Sequence, residues 1–220
     1  MWLVDLILPR RCVSCGGPSQ ALCSSCLALL RPIRAPRCAR CGAPTVWPVE
    51  RCLECSGRRL AFASASAAVA YSGPARPFVR AWKERGLRHL GTLAAEVVVA
   101  QFDPPSADVI AYIPPDPVRQ LERSRHPAES LARELGRLWG IESEPLLRRT
   151  RSVPRQAALR LAGRRGNLRG AFESTSAPRR VLLVDDVYTT GSTANAAATA
   201  LRAAGAARID VVTFARAIRQ

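Results

Sequence analysis

A run of thirteen residues, 181–193, combines two adjacent acids with a turn rich in hydroxyl groups and glycine. The carboxylates of Asp185 and Asp186 accept hydrogen bonds and donate none, so they suit the vicinal hydroxyls of a ribose and repel a phosphate. The turn suits a phosphate, because hydroxyl and backbone N–H groups donate and glycine lets an anion approach closely. Its residues are Thr189, Thr190, Gly191, Ser192 and Thr193. The run predicts a sugar-phosphate site, with Mg²⁺ nearby held mostly by oxygens of the ligand.

The elements on either side of these residues predict how they are positioned. Residues 181–184 form a short apolar run, typical of a strand buried on both faces. The alanine-rich stretch 192–201 favours a helix that Gly205 would end. The acids would then lie at the carboxyl end of a strand, and the turn would lead into the positive end of a helix dipole.

Residues 181–193 consist of four apolar residues, two acids, two spacers and Thr-Thr-Gly-Ser-Thr. This pattern resembles the 5-phosphoribosyl-1-diphosphate (PRPP) loop of type I phosphoribosyltransferases. The resemblance implies an α/β fold, a mostly parallel sheet with flanking helices, that binds PRPP through residues 185–193. Asp185 and Asp186 would be the catalytic residues. The alternative to a ligand site is an ordinary strand, turn and helix in which the polar residues only cap the helix. Val187 excludes the Asp-x-Asp motif of haloacid dehalogenases, and the chain contains no G-x-x-x-x-G-K-[ST] motif.

The eight cysteines occur in four Cys-x-x-Cys pairs near the start of the chain. They are Cys12/Cys15, Cys23/Cys26, Cys38/Cys41 and Cys52/Cys55. In a reducing compartment such pairs favour metal over disulfides, and redox chemistry is the weaker alternative. Sequential pairing would give two tetrahedral structural zinc sites, and interleaved pairing stays open. The segment has few large apolar residues, so we expect metal to supply its folding energy, about 10 kcal/mol per site.

Other local patterns predict how the chain is organised. We expect a double zinc-ribbon module at 1–57, a hinge near 56–64 and a phosphoribosyltransferase-like domain at 65–220. In the second domain, strands are predicted near 65–71, 109–113, 181–184 and 209–214, with helices within 75–101 and at 127–139. Asp5 interrupts the first apolar run, and no stretch is long enough to span a membrane, so we expect a cytoplasmic protein.

The charge of the chain is strongly positive. Its 220 residues carry a formal charge of +16, from 32 arginines and one lysine. Such an excess indicates a polyanion such as nucleic acid, although the arginine bias of a GC-rich coding sequence is the alternative. Residues 148–180 hold ten arginines and one acid, and they predict a mobile arm. Its Arg164, Arg165 and Arg169 would bind either the diphosphate of PRPP or a DNA backbone.

Further motifs extend the resemblance over nearly the whole chain. After the cysteine pairs come Trp82-Lys83-Glu84-Arg85-Gly86, Ile113-Pro114, Arg119, Gln156, Leu159, Arg164, Asn167 and Ala171-Phe172. This order resembles the ComF family of competence proteins. The family implies uptake of single-stranded DNA in natural transformation, a helicase partner, and binding of PRPP with Arg119 near the diphosphate. The chain departs from the family pattern at 123–127 and at Val153.

Three functional hypotheses follow. The first is a DNA-uptake protein that binds PRPP and single-stranded DNA, and the second is an active phosphoribosyltransferase acting on a base-like acceptor. The third is a PRPP sensor without chemistry. Because the chain stops soon after the last predicted strand, we expect no hood over an acceptor base and little turnover on free bases. The aromatic side chains that could stack a base are expected in the core instead: Phe172, Tyr188, Trp139 and Trp82.

Overall fold

A five-stranded parallel sheet forms the centre of the computed structural model, which describes residues 11–19, 21–85, 87–115, 126–150 and 170–218. The strands in chain order are β1 (Ser64–Ala70), β2 (Val109–Tyr112), β3 (Ser143–Glu144), β4 (Arg148–Arg149), β5 (Phe172–Glu173), β6 (Arg180–Tyr188) and β7 (Arg208–Arg216). The sheet order is β1-β7-β6-β2-β3, with every neighbouring pair parallel. The short strands β4 and β5 form a separate antiparallel pair. The predicted fold class is confirmed: a mostly parallel sheet with flanking helices behind a cysteine module.

The described residues form five helices, and the one at Pro127–Trp139 begins and ends where local signals predict. They are α1 (Ser24–Ala28), α2 (Ala75–Arg85), α3 (Arg88–Val99), α4 (Pro127–Trp139) and α5 (Ser192–Ala203). Helix α4 has proline at its first position and ends at Gly140, whose φ of 68° is left-handed. Strand β6 is longer than the predicted 181–184, because its pairing with β7 continues to Tyr188 opposite Arg216. Both acids therefore lie within the last part of the strand.

The two cysteine ribbons pack on opposite faces of the sheet. The first ribbon contains Cys12, Cys15, Cys23 and Cys26, and the second contains Cys38, Cys41, Cys52 and Cys55. Leu182 and Val184 of β6 lie in one apolar cluster, and Val181 and Leu183 lie in the other, because successive side chains of a strand alternate. The first cluster also contains Cys12 and Cys26 with parts of α2, α3 and α4. The second contains Cys38, Cys41 and Cys55 with part of α5. Each ribbon thus shares an apolar core with one face of the sheet, because it has too few large apolar residues to form a core of its own.

The chain passes from one ribbon to the other along the edge of the sheet. The backbone N–H of Ala70 in β1 donates to the carbonyl of Arg31 at 2.8 Å, and the N–H of Ile33 donates to the carbonyl of Ala68 at 3.0 Å. These bonds cover the outer edge of β1, which is otherwise open to pairing with another chain. A Cβ on Gly42 would lie 2.3 Å from the carbonyl oxygen of Ala65, so the second ribbon approaches β1 too closely for any other residue.

The stretch 56–64 is not a hinge, contrary to the prediction. Leu60 and Phe62 are buried in the same cluster as the second ribbon. The backbone N–H of Ala61 donates to Asn195 Oδ1 at 2.7 Å, and that of Ala63 donates to the carbonyl of Ile209 at 2.6 Å. Burial of these side chains and the backbone hydrogen bonds fix this connection, and both depend on distant segments that its local sequence does not reveal. The domain limits 1–57 and 65–220 stay a prediction. None of the described helices combines the length and the apolar character that a membrane span requires.

Candidate functional site

The predicted turn, residues 189–193, leads directly into helix α5, as expected. Gly191 has a φ of 71° and precedes Ser192, the first residue of α5. A Cβ on Gly191 would lie 2.1 Å from Tyr188 Oη, so both the backbone angle and the neighbouring ring require glycine. The N–H of Asn195 donates to the carbonyl of Gly191 at 2.9 Å, which closes the first turn of the helix. The earlier N–H groups of α5 have no intrahelical acceptor and can bind an anion.

Hydroxyl groups surround the start of this helix. The Thr190 hydroxyl donates to Ser192 Oγ at 2.9 Å, and the N–H of Ser192 donates to Thr190 Oγ1 at 3.3 Å. Thr189 is exposed, whereas Thr190, Ser192 and Thr193 are half-buried. The structure thus brings all five predicted turn residues to one helix N-terminus, where several donors can converge on a phosphate.

The two acids before the turn occupy different environments, although the sequence suggested one function for both. Asp186 is 4% exposed, and its Oδ2 forms an ion pair at 2.9 Å with Nζ of Lys83 from α2. Asp185 is half-buried, and its Oδ1 accepts a hydrogen bond from the N–H of Asp186 at 2.9 Å. Lys83 neutralises Asp186, which leaves Asp185 as the acid more open to a ligand.

The electrostatics of the pair distinguish the acids further. Burial, and then the neighbouring Asp186 carboxylate, raise the pKa of Asp185 to about 7, against the opposing effect of Lys83. Partial burial acts to lower the pKa of Lys83, but the Asp186 carboxylate outweighs it, and the pKa lies above its usual range. Lys83 is therefore an ammonium at neutral pH, whereas Asp185 is close to half-ionised. The sequence analysis placed Lys83 in a family motif without finding this partner.

The eight cysteines form two clusters of four, grouped sequentially. Within each cluster the Sγ atoms all lie within 4.8 Å of one another. The Sγ atoms of Cys38 and Cys55 are 3.6 Å apart, and those of Cys41 and Cys52 are 3.5 Å apart. Four thiolates around one zinc at about 2.3 Å would be about 3.8 Å apart along the edges of the tetrahedron. Both clusters fit a structural zinc, and sequential pairing is the arrangement that the geometry supports.

Backbone N–H groups favour the thiolate of one cysteine in each cluster, whereas burial raises the pKa of the Cys41 thiol. The N–H of Cys52 lies 3.3 Å from Cys38 Sγ, and the N–H of Cys23 lies 3.4 Å from Cys12 Sγ. Although burial opposes the change, such bonds lower the pKa of Cys38 to about 7 and that of Cys12 to about 6. A lowered pKa makes the thiolate form that binds zinc available near neutral pH.

Two arginines connect the second ribbon to the 189–193 turn, and the sequence analysis missed both. Arg58 donates from Nη1 to the carbonyl of Thr190 at 2.7 Å. Arg216 is 1% exposed, donates to the carbonyl of Cys41 at 2.6 Å, and lies over the Tyr188 ring at 4.5 Å from its centroid. In a chain with 32 arginines, no local pattern distinguishes these two from the rest.

Several predicted site residues lie outside the described residues. They are Arg119, Arg164, Arg165 and Arg169. Among the aromatic side chains expected in the core, Trp82, Tyr188 and Phe172 are buried and Trp139 is half-buried. Trp47 is 66% exposed on the second ribbon, and the sequence analysis did not consider it.

The fold and the cysteine clusters define a class of protein, a double zinc ribbon followed by a mostly parallel α/β sheet with flanking helices. A domain described as a double zinc ribbon matches residues 3–57. The chain is similar to Competence protein F of Haemophilus influenzae, with 28% identity over 94% of this chain and 97% of the relative. The resemblance to ComF competence proteins is thereby confirmed.

Two solved structures are similar to parts of this chain. One is the glutamine PRPP amidotransferase of B. subtilis in complex with ADP and GMP. It is 25% identical, with a TM-score of 0.38 over 57% of this chain and 25% of that chain. The other is a protein of Thermus thermophilus, 20% identical, with a TM-score of 0.32 over 60% of this chain and 83% of that chain.

Proposed function

We propose that this chain is a PRPP-binding protein of ComF type that acts in the uptake of single-stranded DNA during natural transformation. The observation that carries the proposal is the placement of Asp185 in the last part of β6, the strand that leads through the Gly191 turn into α5. A carboxylate at the end of a strand that leads into a helix N-terminus can bind the sugar of a ligand whose phosphate the helix N-terminus binds. The similarity to Competence protein F supports the cellular function.

In this proposal each part of the site has a separate duty. The N–H groups and hydroxyls of the turn bind the 5′-phosphate, and Asp185 accepts bonds from the ribose hydroxyls. Asp186 contributes mainly by holding Lys83 and by raising the pKa of its neighbour. Mg²⁺ enters with PRPP, because it takes oxygen ligands from the diphosphate and retains part of its water shell. Arg119 and the arginines Arg164, Arg165 and Arg169 of the predicted arm are proposed to contact the diphosphate.

The zinc ions are proposed to have a structural function. Each cluster supplies four sulfur ligands, which closes the coordination sphere and leaves no position for a substrate. The four thiolates come together only in the folded chain, so the free energy of metal binding adds directly to the free energy of folding. The nucleic-acid partner is proposed from the +16 charge, which favours a polyanion.

Calorimetric titration with PRPP and Mg²⁺ tests the proposed site. Asp185→Asn should weaken binding by about tenfold or more, because a charge-assisted bond to a ribose hydroxyl is worth about 1.5–3 kcal/mol. Asp210→Asn is the matched control, since this acid lies on the neighbouring strand and bonds Ser64 and Arg208 instead. The zinc content of both variants should equal that of the parent protein.

The result for the double variant decides the assignment of the site. If Asp185→Asn combined with Asp186→Asn binds PRPP as tightly as the parent protein, the acids do not bind the sugar and the proposal is wrong. A second titration with single-stranded DNA present then shows whether the two ligands compete for one surface or bind independently.

An active phosphoribosyltransferase is the second candidate, and the pKa of Asp185 is the observation that favours it. A carboxyl group with a pKa of about 7 is suited to proton transfer at neutral pH. Against transfer, Tyr188, which lies against Gly191, and Phe62, whose ring contacts that of Tyr188, are both buried and offer no open face to an acceptor base. We expect little release of diphosphate from PRPP with free purines, pyrimidines or nicotinate. Release with one base, abolished in Asp185→Asn, would establish the enzyme instead.

A further inference from the structure

The second ribbon contacts the phosphate turn through a short, direct connection. Arg58 lies three residues after the cysteine Cys55, and its backbone N–H donates to the Cys55 carbonyl at 3.2 Å. Its side chain donates to the carbonyl of Thr190 at 2.7 Å, across 132 residues of sequence. The Arg58 carbonyl in turn accepts a bond from Arg51 Nη1 at 3.2 Å. The backbone that carries the guanidinium group is therefore part of the ribbon.

Holding the Thr190 carbonyl also orients the next N–H group. The C=O of Thr190 and the N–H of Gly191 belong to one planar trans peptide unit and point in opposite directions. A guanidinium group bound to the carbonyl therefore directs the Gly191 N–H away from Arg58. Peptide units beside glycine rotate easily, and Gly191 already has a φ of 71°. The bond from Arg58 selects one orientation of this peptide.

Arg216 forms a second connection between the same ribbon and the same turn. Its guanidinium donates to the carbonyl of Cys41 at 2.6 Å and to Glu54 Oε2 at 2.7 Å. It lies over the ring of Tyr188, and this ring fills the space beside Gly191. The first ribbon differs, because its buried residues join the cluster on the other face of the sheet, with Phe78 and Trp82.

We propose that Arg58 is a positioning residue of the 189–193 turn, and that the second ribbon rather than the first therefore sets the affinity for a sugar phosphate. Zinc in the second cluster holds the backbone from Cys52 to Arg58, and Arg58 holds the Thr190–Gly191 peptide with its N–H available to the phosphate. This inference rests on the proposed function, because it assumes that the turn binds PRPP.

Substitution of Arg58 tests the positioning function. Arg58→Ala should weaken PRPP binding about tenfold, as expected for a lost bond to a charged donor, and leave the zinc content unchanged. Arg59→Ala is the matched control, because it removes the same charge from the adjacent exposed position. Arg58→Lys, which retains the charge and can still donate to a carbonyl, should recover most of the affinity and keeps the test decisive if the alanine variant folds poorly.

The salt dependence separates positioning from simple attraction. If Arg58 fixes a peptide, the tenfold ratio between parent and Arg58→Ala should persist at about 0.5 M salt, where attraction between separated charges is screened. A ratio that disappears at high salt, or an Arg58→Ala variant that binds like Arg59→Ala, overturns the inference. If the parent protein itself does not bind PRPP, the proposed function fails instead, and the two failures are therefore distinguishable.

A matched pair of cysteine variants tests the difference between the ribbons. Cys23 and Cys52 are both half-buried members of a cluster, one in each ribbon. Cys23→Ser and Cys52→Ser should each lower the zinc content, and only Cys52→Ser should weaken PRPP binding. Equal weakening by both variants, or by neither, contradicts a special function for the second ribbon.

Discussion

The ammonium group of Lys83 lies 2.9 Å from Asp186 Oδ2 and joins helix α2 to the strand that carries the candidate site. Asp186 has only 5% of its side chain exposed, whereas the Lys83 side chain is 39% exposed. The partly exposed Lys83 ammonium group therefore neutralises the buried Asp186 carboxylate. Because Asp186 adjoins Asp185, the same contact sets the electrostatic environment of the proposed ribose-binding acid.

We predict that Lys83→Met lowers the free energy of unfolding by about 2 kcal/mol, less than the 3–5 kcal/mol for a fully buried pair, because solvent reaches Lys83. Arg80→Ala is the control on the same helix, since its exposed i,i+4 pair with Glu84 is worth about 0.3–0.5 kcal/mol. Denaturant unfolding of zinc-loaded protein measures both effects. Equal losses in the two variants would contradict a stabilising function for the buried pair.

We predict that the affinity for PRPP rises with pH through about 7, because only ionised Asp185 accepts bonds from the ribose hydroxyls. Below that pKa, binding must displace a proton, so affinity should fall by up to about tenfold per pH unit. The phosphates of PRPP also titrate, and Asp185→Asn supplies the baseline for that effect. Identical pH profiles of the parent and the variant would show that Asp185 does not titrate in the site.

We predict the opposite dependence on pH for the stability of the unliganded protein. The pKa of Asp185 is about 7 in the folded protein, and its ordinary value is 3.8. The protonated carboxyl group therefore contributes its full stabilisation at pH values below 3.8. That contribution is lost as pH rises through about 7, because the folded chain then gives up the extra proton. Asp185→Asn should therefore be more stable than the parent at pH 8, and the difference should shrink towards pH 4. Thermal unfolding at the two pH values measures this, and a constant difference would refute it.

We predict two zinc ions per chain in protein prepared without chelator, because each cluster of four thiolates fits one ion. Cys38→Ser should lose one zinc and lower the melting temperature strongly, since one missing ligand opens a site that contributes to folding. Ser56→Ala, at an exposed position beside Cys55, should change neither quantity. Elemental analysis with a thiol assay decides the question. Less than one zinc per chain with all thiols reduced would exclude two structural sites.

We predict that single-stranded DNA binds without sequence preference and that its affinity falls steeply with salt. The slope of log affinity against log salt should be about −0.7 per neutralised phosphate. Replacing Arg164, Arg165 and Arg169 with alanine should flatten the slope by about two units. Alanine at the exposed Arg80, Arg133 and Arg137 of α2 and α4 removes the same charge and should have less effect. Binding that is independent of salt would mean that the +16 charge does not serve nucleic acid.

The sequence by itself determined the features that depend on residues close together in the chain. Cysteine pairs at fixed spacing predicted two clusters, and residues 189–193 predicted a glycine turn into a helix. A Cys-x-x-Cys turn and a helix N-terminus are local structures, whose backbone geometry follows from a few neighbouring residues. The predicted helix at 127–139 was also confirmed, because proline and glycine mark its two ends.

Tertiary structure alone decided how these local features act on one another. Packing on opposite faces of the sheet brought the second ribbon to the turn. Arg58 contacts Thr190 across 132 residues of sequence, and Arg216 contacts Cys41 across 175 residues. It also made Asp186 the buried partner of Lys83 and left Asp185 more open, although the two acids are adjacent in sequence. These properties depend on burial and on distances across the sheet, which arise only when distant segments pack together.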